Sequence, residues 1–306
     1  MTEKKEYGRF TALMALRLAA PHTWAASTMP VFLGAALSLS RGGGADPLML
    51  LSLLAVCILM QSCVNCLNDY SDFIRGTDTP ENSPDSADAV LVYANPDPKK
   101  ALLLGFLFLA AAACLGIPAV LTAGPAPLVI GMVGGIVILL YSFGRTPLSY
   151  LPLGELTSGF VMGGLIPLAV YDVLAGRLET AILLYALPEM LGIALIMMTN
   201  NSCDIGRDTE AGRKTLPVLL GGKSAARLYR ALLILWAALP EALLLVSGGA
   251  AVLYPAMLIA ALPALTSQLR LDLSPVTRGA AMGGITSLNI MLGLIYIAAL
   301  LFGALV

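Results

Sequence analysis

The chain has 306 residues, of which 58% are hydrophobic and only 12% charged, and its mean hydropathy is +0.84. Soluble domains of average usage carry about 25% charged residues, so a polytopic membrane protein is the expectation. A net charge of −1 argues against nucleic acid as a partner, and the single histidine, His22, argues against a His-ligated metal centre or a His base.

In chain order, residues 1–20 open on charges of both signs and carry no small-residue cleavage site, which reads as a cytoplasmic tail. Apolar stretches of about 20 residues span a bilayer core of roughly 30 Å. Nine follow one another here, near 21–40, 48–67, 100–122, 126–144, 151–174, 180–200, 226–247, 250–267 and 282–305. The expected fold class is therefore all-α, a transmembrane bundle of about nine helices forming one domain over 1–306. Pro30, Pro118, Pro167, Pro188 and Pro240 fall inside these stretches, as membrane helices tolerate when neighbours re-satisfy the freed backbone groups. The turn Gly124-Pro125-Ala126-Pro127 separates the third from the fourth. The five cysteines (57, 63, 66, 114 and 203) lie in or beside apolar stretches and read as inert thiols, Cys63-x-x-Cys66 included.

With the N-terminus inside, sixteen of the 18 Lys and Arg fall on inner segments, and only Arg41 and Arg177 fall outside. That is the positive-inside pattern. It puts two polar loops, 68–99 and 201–225, on the cytoplasmic side of a cell membrane.

Each loop begins with an acidic segment where an apolar stretch ends. The first is Asn68-Asp69-Tyr70-Ser71-Asp72. The second is Asn200-Asn201-Ser202-Cys203-Asp204-Ile205-Gly206-Arg207-Asp208. Acids at i and i+3 or i+4 share one face of a continuing helix. Four spans separate the two segments, as in a duplicated four-helix unit with one helix added. Carboxylates and amides are oxygen ligands suited to Mg²⁺, which binds through one or two carboxylates together with substrate phosphates. Asn68, Asp69, Asp72, Asp204 and Asp208 would hold the metal, and Asn200 and Asn201 would line the same face. Two such faces on a shared cavity would hold a diphosphate, with Arg207, Arg213 and Lys214 on its oxygens. A substrate tail among the helices suits a lipid diphosphate.

The plainer reading makes these acids helix caps or solvated surface pairs; two matching clusters on one membrane side favour function. Acids at helix breaks also line ion pathways, so a transporter is the alternative from another class. Among deeper polar groups, Asn65 extends the first face inward, and Glu155 lies near the cytoplasmic end of its span. Glu189, Glu241 and Asn289 lie mid-span, where ionisable or amide groups face a cavity or a partner helix. Trp24 reads as an interfacial anchor.

These motifs resemble the UbiA superfamily of intramembrane prenyltransferases, and within it the branch that prenylates 1,4-dihydroxy-2-naphthoate on the route to menaquinone. The resemblance runs nearly end to end. It takes in Leu16-Arg-Leu-Ala-Ala-Pro-His-Thr-Trp24, Met29-Pro-Val-Phe-Leu-Gly34, Asn68 to Asp78, and Tyr150-Leu-Pro-Leu-Gly-Glu155. It continues through Asn200-Asn201, Asp204, Asp208, Gly212-Arg-Lys-Thr-Leu216 and Leu220-Gly221. It implies a Mg²⁺ cofactor, a polyprenyl diphosphate donor, an aromatic acceptor, the lipid bilayer as surroundings and no protein partner. By the same resemblance, Asn68, Asp69, Asp72, Asp204 and Asp208 match metal–diphosphate residues, the four aspartates being catalytic, and Lys214 matches a basic position after the second motif; Arg145 and Lys214 are the further candidates for phosphate, and Glu155 for orienting the acceptor. Two departures stand out. No arginine occurs between Asp78 and Lys99, and Cys203 stands where the naphthoate branch tends to place an arginine.

Overall fold

The computed structural model describes residues 7–80, 89–247 and 250–305. Among these the chain is helical, with no strand beyond an isolated bridge between Gly8 and Pro96. Twelve helices organise it. They are α1 Ala12–Ala19, α2 Ala25–Ser40, α3 Pro47–Arg75, α4 Pro98–Ala123, α5 Pro125–Ser142 and α6 Gly154–Ala175. The rest are α7 Leu187–Cys203, α8 Ile205–Glu210, α9 Leu216–Leu220, α10 Gly222–Ser247, α11 Leu253–Arg270 and α12 Arg278–Gly303.

Each of the nine apolar stretches is helical, as α2 to α7 and α10 to α12. Six (α3, α4, α5, α6, α10 and α12) are long and apolar enough to cross a membrane. The shortfall has a local cause in each of the other three. α2 has 16 residues and α7 has 17, while α11 ends on the polar run Thr266-Ser267-Gln268 before Arg270. α3 continues through Arg75, so the first acidic segment lies on the last two turns of a 29-residue helix and not in the expected loop. The 68–99 loop begins only at Gly76, whose φ of +73° ends the helix in the left-handed region open to glycine. At its other end, Asp46 accepts from the backbone N–H of Met49 at 2.9 Å and Pro47 takes the first helical position.

The expected tail also differs. Residues 12–19 form a helix capped by Thr11, and Gly8 N–H donates to Asn95 O at 2.9 Å. The segment folds back because Leu18 can bury itself with Cys66, Val90, Leu91 and Ala101. Trp24 does more than anchor an interface: its Nε1–H is shared between Ser62 Oγ (3.0 Å) and Ala19 O (3.2 Å), fixing the α1–α2 junction to α3.

The main core joins α2, α6, α7, α10, α11 and α12 around Tyr171, Leu195, Leu233, Tyr254 and Leu288. α4 and α5 keep most of their apolar surface outward, as lipid-facing helices do. α6 is wound as a π-helix over Gly159–Leu165, which makes room for Pro167 just beyond it. Gly159, Gly163 and Gly164 bring this segment against the backbone and side chain of Met190 on α7. At the end away from the acidic segments, Arg41, Arg177 and Glu179 form an ion-paired cluster capped by Tyr171 and tie α2 to the turn after α6.

Candidate active site

The two acidic segments meet at one end of the bundle, where Arg213, 141 residues after Asp72, contacts both. Asp72 of α3, Asp204 between α7 and α8, and Asp208 of α8 are buried, while Asn68 and Asp69 are half-buried. The joint between the segments is Arg213. One guanidinium nitrogen is ion-paired with Asp72, and another lies 3.8 Å from Asp208 Oδ1. Asn68 Nδ2 donates to the other Asp72 oxygen at 3.2 Å, and Thr215 Oγ1 donates to Asp208 Oδ2 at 3.2 Å.

Local sequence explains this convergence. Asn68 and Asp72 share a helix face at spacing i, i+4. α7 ends at Asp204, and the chain restarts at once as α8, whose Asp208 N–H closes on Asp204 O at 2.8 Å. Gly212, with φ +72°, then reverses the chain so that Arg213 points back into the site, and its own N–H closes on Asp208 O at 2.8 Å. Tyr150 is the floor. Arg213 lies 4.9 Å and Arg75 5.4 Å from its ring centroid, its hydroxyl is 3.2 Å from Thr77 Oγ1, and its carbonyl accepts from Lys214 N–H at 2.9 Å.

Burial pushes the Asp208 carboxyl up to about 6, with Arg213 and Thr215 pulling the other way. Burial also opposes the charge on Arg213, yet Asp72 and then Asp208 more than offset it and raise its pKa.

The other expected residues divide. Asn201 donates to Glu155 Oε1 at 2.9 Å, which brings these two together, and Glu155 Oε2 is buried without a partner among the described residues. Asn200 Oδ1 accepts from Arg278 at 2.7 Å, and Arg278 also reaches Asp204 Oδ2 at 3.2 Å. Arg207 pairs with Asp78, the first residue past α3's end to carry charge. Lys214 contributes its backbone while its side chain is exposed, and Arg145 is exposed with no ion pair among the described residues. Asn65 is committed elsewhere. Its amide donates to Ala19 O (3.0 Å) and Thr23 Oγ1 (2.9 Å), holding the α1–α2 junction. Away from the site, Glu189 and Asn289 lie between α7 and α12 beside Gly192 and Gly293, buried in the bundle. Residues 81–88, within the segment 78–99 that lacks arginine, lie outside the described residues.

Two cations here were not assigned from sequence as site residues. Arg278 begins the last span and counts in the sequence only toward orientation. In space it supplies a guanidinium to Asp204, the position left without one by Cys203. Arg75 likewise reads as an end-of-helix cation, but it turns inward to Tyr150, Ser71 Oγ (3.1 Å) and Gly144 O (2.7 Å).

The donor set is all oxygen, which fits a hard divalent cation. Among the described residues no three His, Cys, Asp or Glu side chains converge on one metal-sized point.

The model of the UbiA prenyltransferase family matches residues 27–282. The chain is 34% identical over 215 residues to 1,4-dihydroxy-2-naphthoate octaprenyltransferase of Bacillus subtilis (strain 168), covering 70% of this chain and 68% of that one. It is 30% identical over 291 residues to UbiA prenyltransferase domain-containing protein 1 of Rattus norvegicus, covering 93% and 81%. Among solved structures, a UbiA homolog from Archaeoglobus fulgidus bound to GPP and Mg²⁺ superposes with a TM-score of 0.65 at 18% identity, over 93% of this chain and 99% of that one. At that identity the likeness speaks for the fold.

Proposed function

The chain belongs to the UbiA prenyltransferase family, and from that premise we propose that it moves a polyprenyl group from polyprenyl diphosphate to the ring of 1,4-dihydroxy-2-naphthoate. The observation that carries this reading is the meeting of both acidic segments at Arg213, with Asp72 and Asp208 buried around it. The Bacillus subtilis relative supplies the acceptor, and the Mg²⁺- and GPP-bound homolog supports the metal and the donor. The sixteen-to-two distribution of basic residues supports a cytoplasmic mouth on a cell-membrane protein.

Asn68, Asp69, Asp72, Asp204 and Asp208 would hold Mg²⁺, whose charge favours departure of the diphosphate. The residues do the rest. Arg213 and Arg278, with Arg207 at the rim, present guanidinium N–H groups to diphosphate oxygens. The C–O bond breaks with its electron pair going to the diphosphate, leaving an allylic cation. A ring carbon of the acceptor bonds to that cation with a pair of ring π electrons, and the proton or carboxylate on that carbon leaves as H⁺ or CO2, its bonding pair staying behind to restore aromaticity. The Tyr150 ring is already a surface for two cations, Arg75 and Arg213. Glu155 Oε2 is free to accept a hydrogen bond from an acceptor hydroxyl, with Asn201 fixing the other oxygen.

The test is transfer of radiolabelled polyprenyl diphosphate to the naphthoate in membranes, with Mg²⁺ and with a chelator. Label on the ring only with metal is the expected result; label retained on the donor under both conditions overturns the reading. Glu155→Gln keeps the Asn201 contact but weakens the acceptor's, so the acceptor KM rises by about tenfold while the donor KM holds. A changed donor KM with an unchanged acceptor KM removes Glu155 from that role.

A further inference from the structure

Arg213 is the one cation, among the described residues, whose ion pairs reach carboxylates of both acidic segments. Among the described residues Arg278 is ion-paired with Asp204, in the second segment alone, and Arg207 pairs with Asp78, outside both segments. The exposed Lys214 side chain makes no ion pair among the described residues. The Arg213, Asp72 and Asp208 side chains are only 14%, 7% and 5% exposed. Two carboxylates this buried need a cation between them, and in the folded chain Arg213 is that cation.

A divalent ion taking the same oxygens would be repelled by a guanidinium already on them. Arg213 is placed to give way. It follows Gly212 in an irregular segment between α8 and α9, its Nε–H has no partner among the described residues, and it lies over Tyr150, so it can turn on the ring without losing that contact. A diphosphate offers it a bidentate partner in exchange.

We propose that Arg213 is an exchangeable counter-ion, clamping Asp72 to Asp208 while the divalent cation is absent and passing to the diphosphate when cation and diphosphate arrive together. This rests on the metal–diphosphate reading above and adds a consequence to it. Divalent cation alone must displace Arg213 into nothing, whereas cation with diphosphate gives it a new partner. Each therefore raises the affinity for the other, and the coupling is reciprocal.

Thermal unfolding of the full chain in detergent measures this, titrating free Mg²⁺ with and without inorganic pyrophosphate. In the wild type, pyrophosphate should lower the half-saturating free Mg²⁺ by about tenfold or more. In Arg213→Gln, Mg²⁺ alone should stabilise at about a tenth of the concentration the wild type needs, and pyrophosphate should add less than about threefold. Should Arg213→Gln not fold, Arg213→Lys, which keeps the charge without the planar fork, should lie between the two. Variants that respond to free Mg²⁺ at the wild-type concentration overturn the exchange while leaving the metal–diphosphate reading intact. A wild type stabilised by neither Mg²⁺ nor Mg²⁺ with pyrophosphate overturns that reading and the exchange with it.

Discussion

Asp204→Asn lowers prenyl transfer by on the order of a thousandfold while the protein stays folded in detergent. The carboxylate is buried, and its cation, Arg278, also holds Asn200 Oδ1 at 2.7 Å. The substitution therefore removes charge from the site without stranding a buried guanidinium. Asp72→Asn should be as inactive, but it is a less clean measurement. It takes away the tighter of Arg213's two partners, and breaking such a pair costs about 3–5 kcal/mol when nothing replaces it. Asp208, 3.8 Å away, and the remaining amide oxygen hold part of that. Comparing turnover with unfolding temperature for the two variants separates the contributions. Undiminished turnover in Asp204→Asn, in protein whose unfolding temperature is unchanged, would remove the carboxylate cage as the basis of activity.

The other large effect is expected far from the carboxylates, at Gly163. A Cβ there would sit 2.5 Å from Met190 Cα and 2.6 Å from Met190 N, and neither backbone atom can yield without moving α7. Gly163→Val should push α6 and α7 apart and cost at least about 1–3 kcal/mol, the usual range for overpacking. The same displacement reaches the site. α7 carries Asn201, and α6 begins at Gly154 and carries Glu155, so their 2.9 Å hydrogen bond depends on this contact. Activity should fall with stability. Gly131→Ala, where nothing lies within 4 Å, is the control and should be neutral or slightly stabilising. Wild-type unfolding and turnover in Gly163→Val would mean that the close approach of α6 and α7 does not position the site.

Much of this protein is legible from its residues because a bilayer leaves few choices. With no water to satisfy backbone groups, apolar runs become helices, and their positions follow from where charge and turn residues interrupt them. Gly124-Pro125 marks the α4–α5 break, and Asp69, Asp72, Asp204 and Asp208 stand out because charge is rare in such a chain. What failed was local continuity. Asn68 to Arg75 looks like the start of a loop, since hydropathy falls there, yet helix hydrogen bonding carries on to Gly76 because nothing in those residues stops it. A polar tail likewise became α1 because Leu18 had a buried partner waiting more than forty residues away.

Composition and pattern alone determined the class of fold and the number of apolar segments, and singled out the uneven spread of basic residues and the acids Asp69, Asp72, Asp204 and Asp208. Only the tertiary structure decided which cation serves which acid. Arg213 joins Asp72 to Asp208, Arg278 takes Asp204, and Arg145, equally basic on paper, stays in solvent. A guanidinium on a long side chain can reach several partners, and the choice among them depends on distances and burial that arise only when helices far apart in the chain come together.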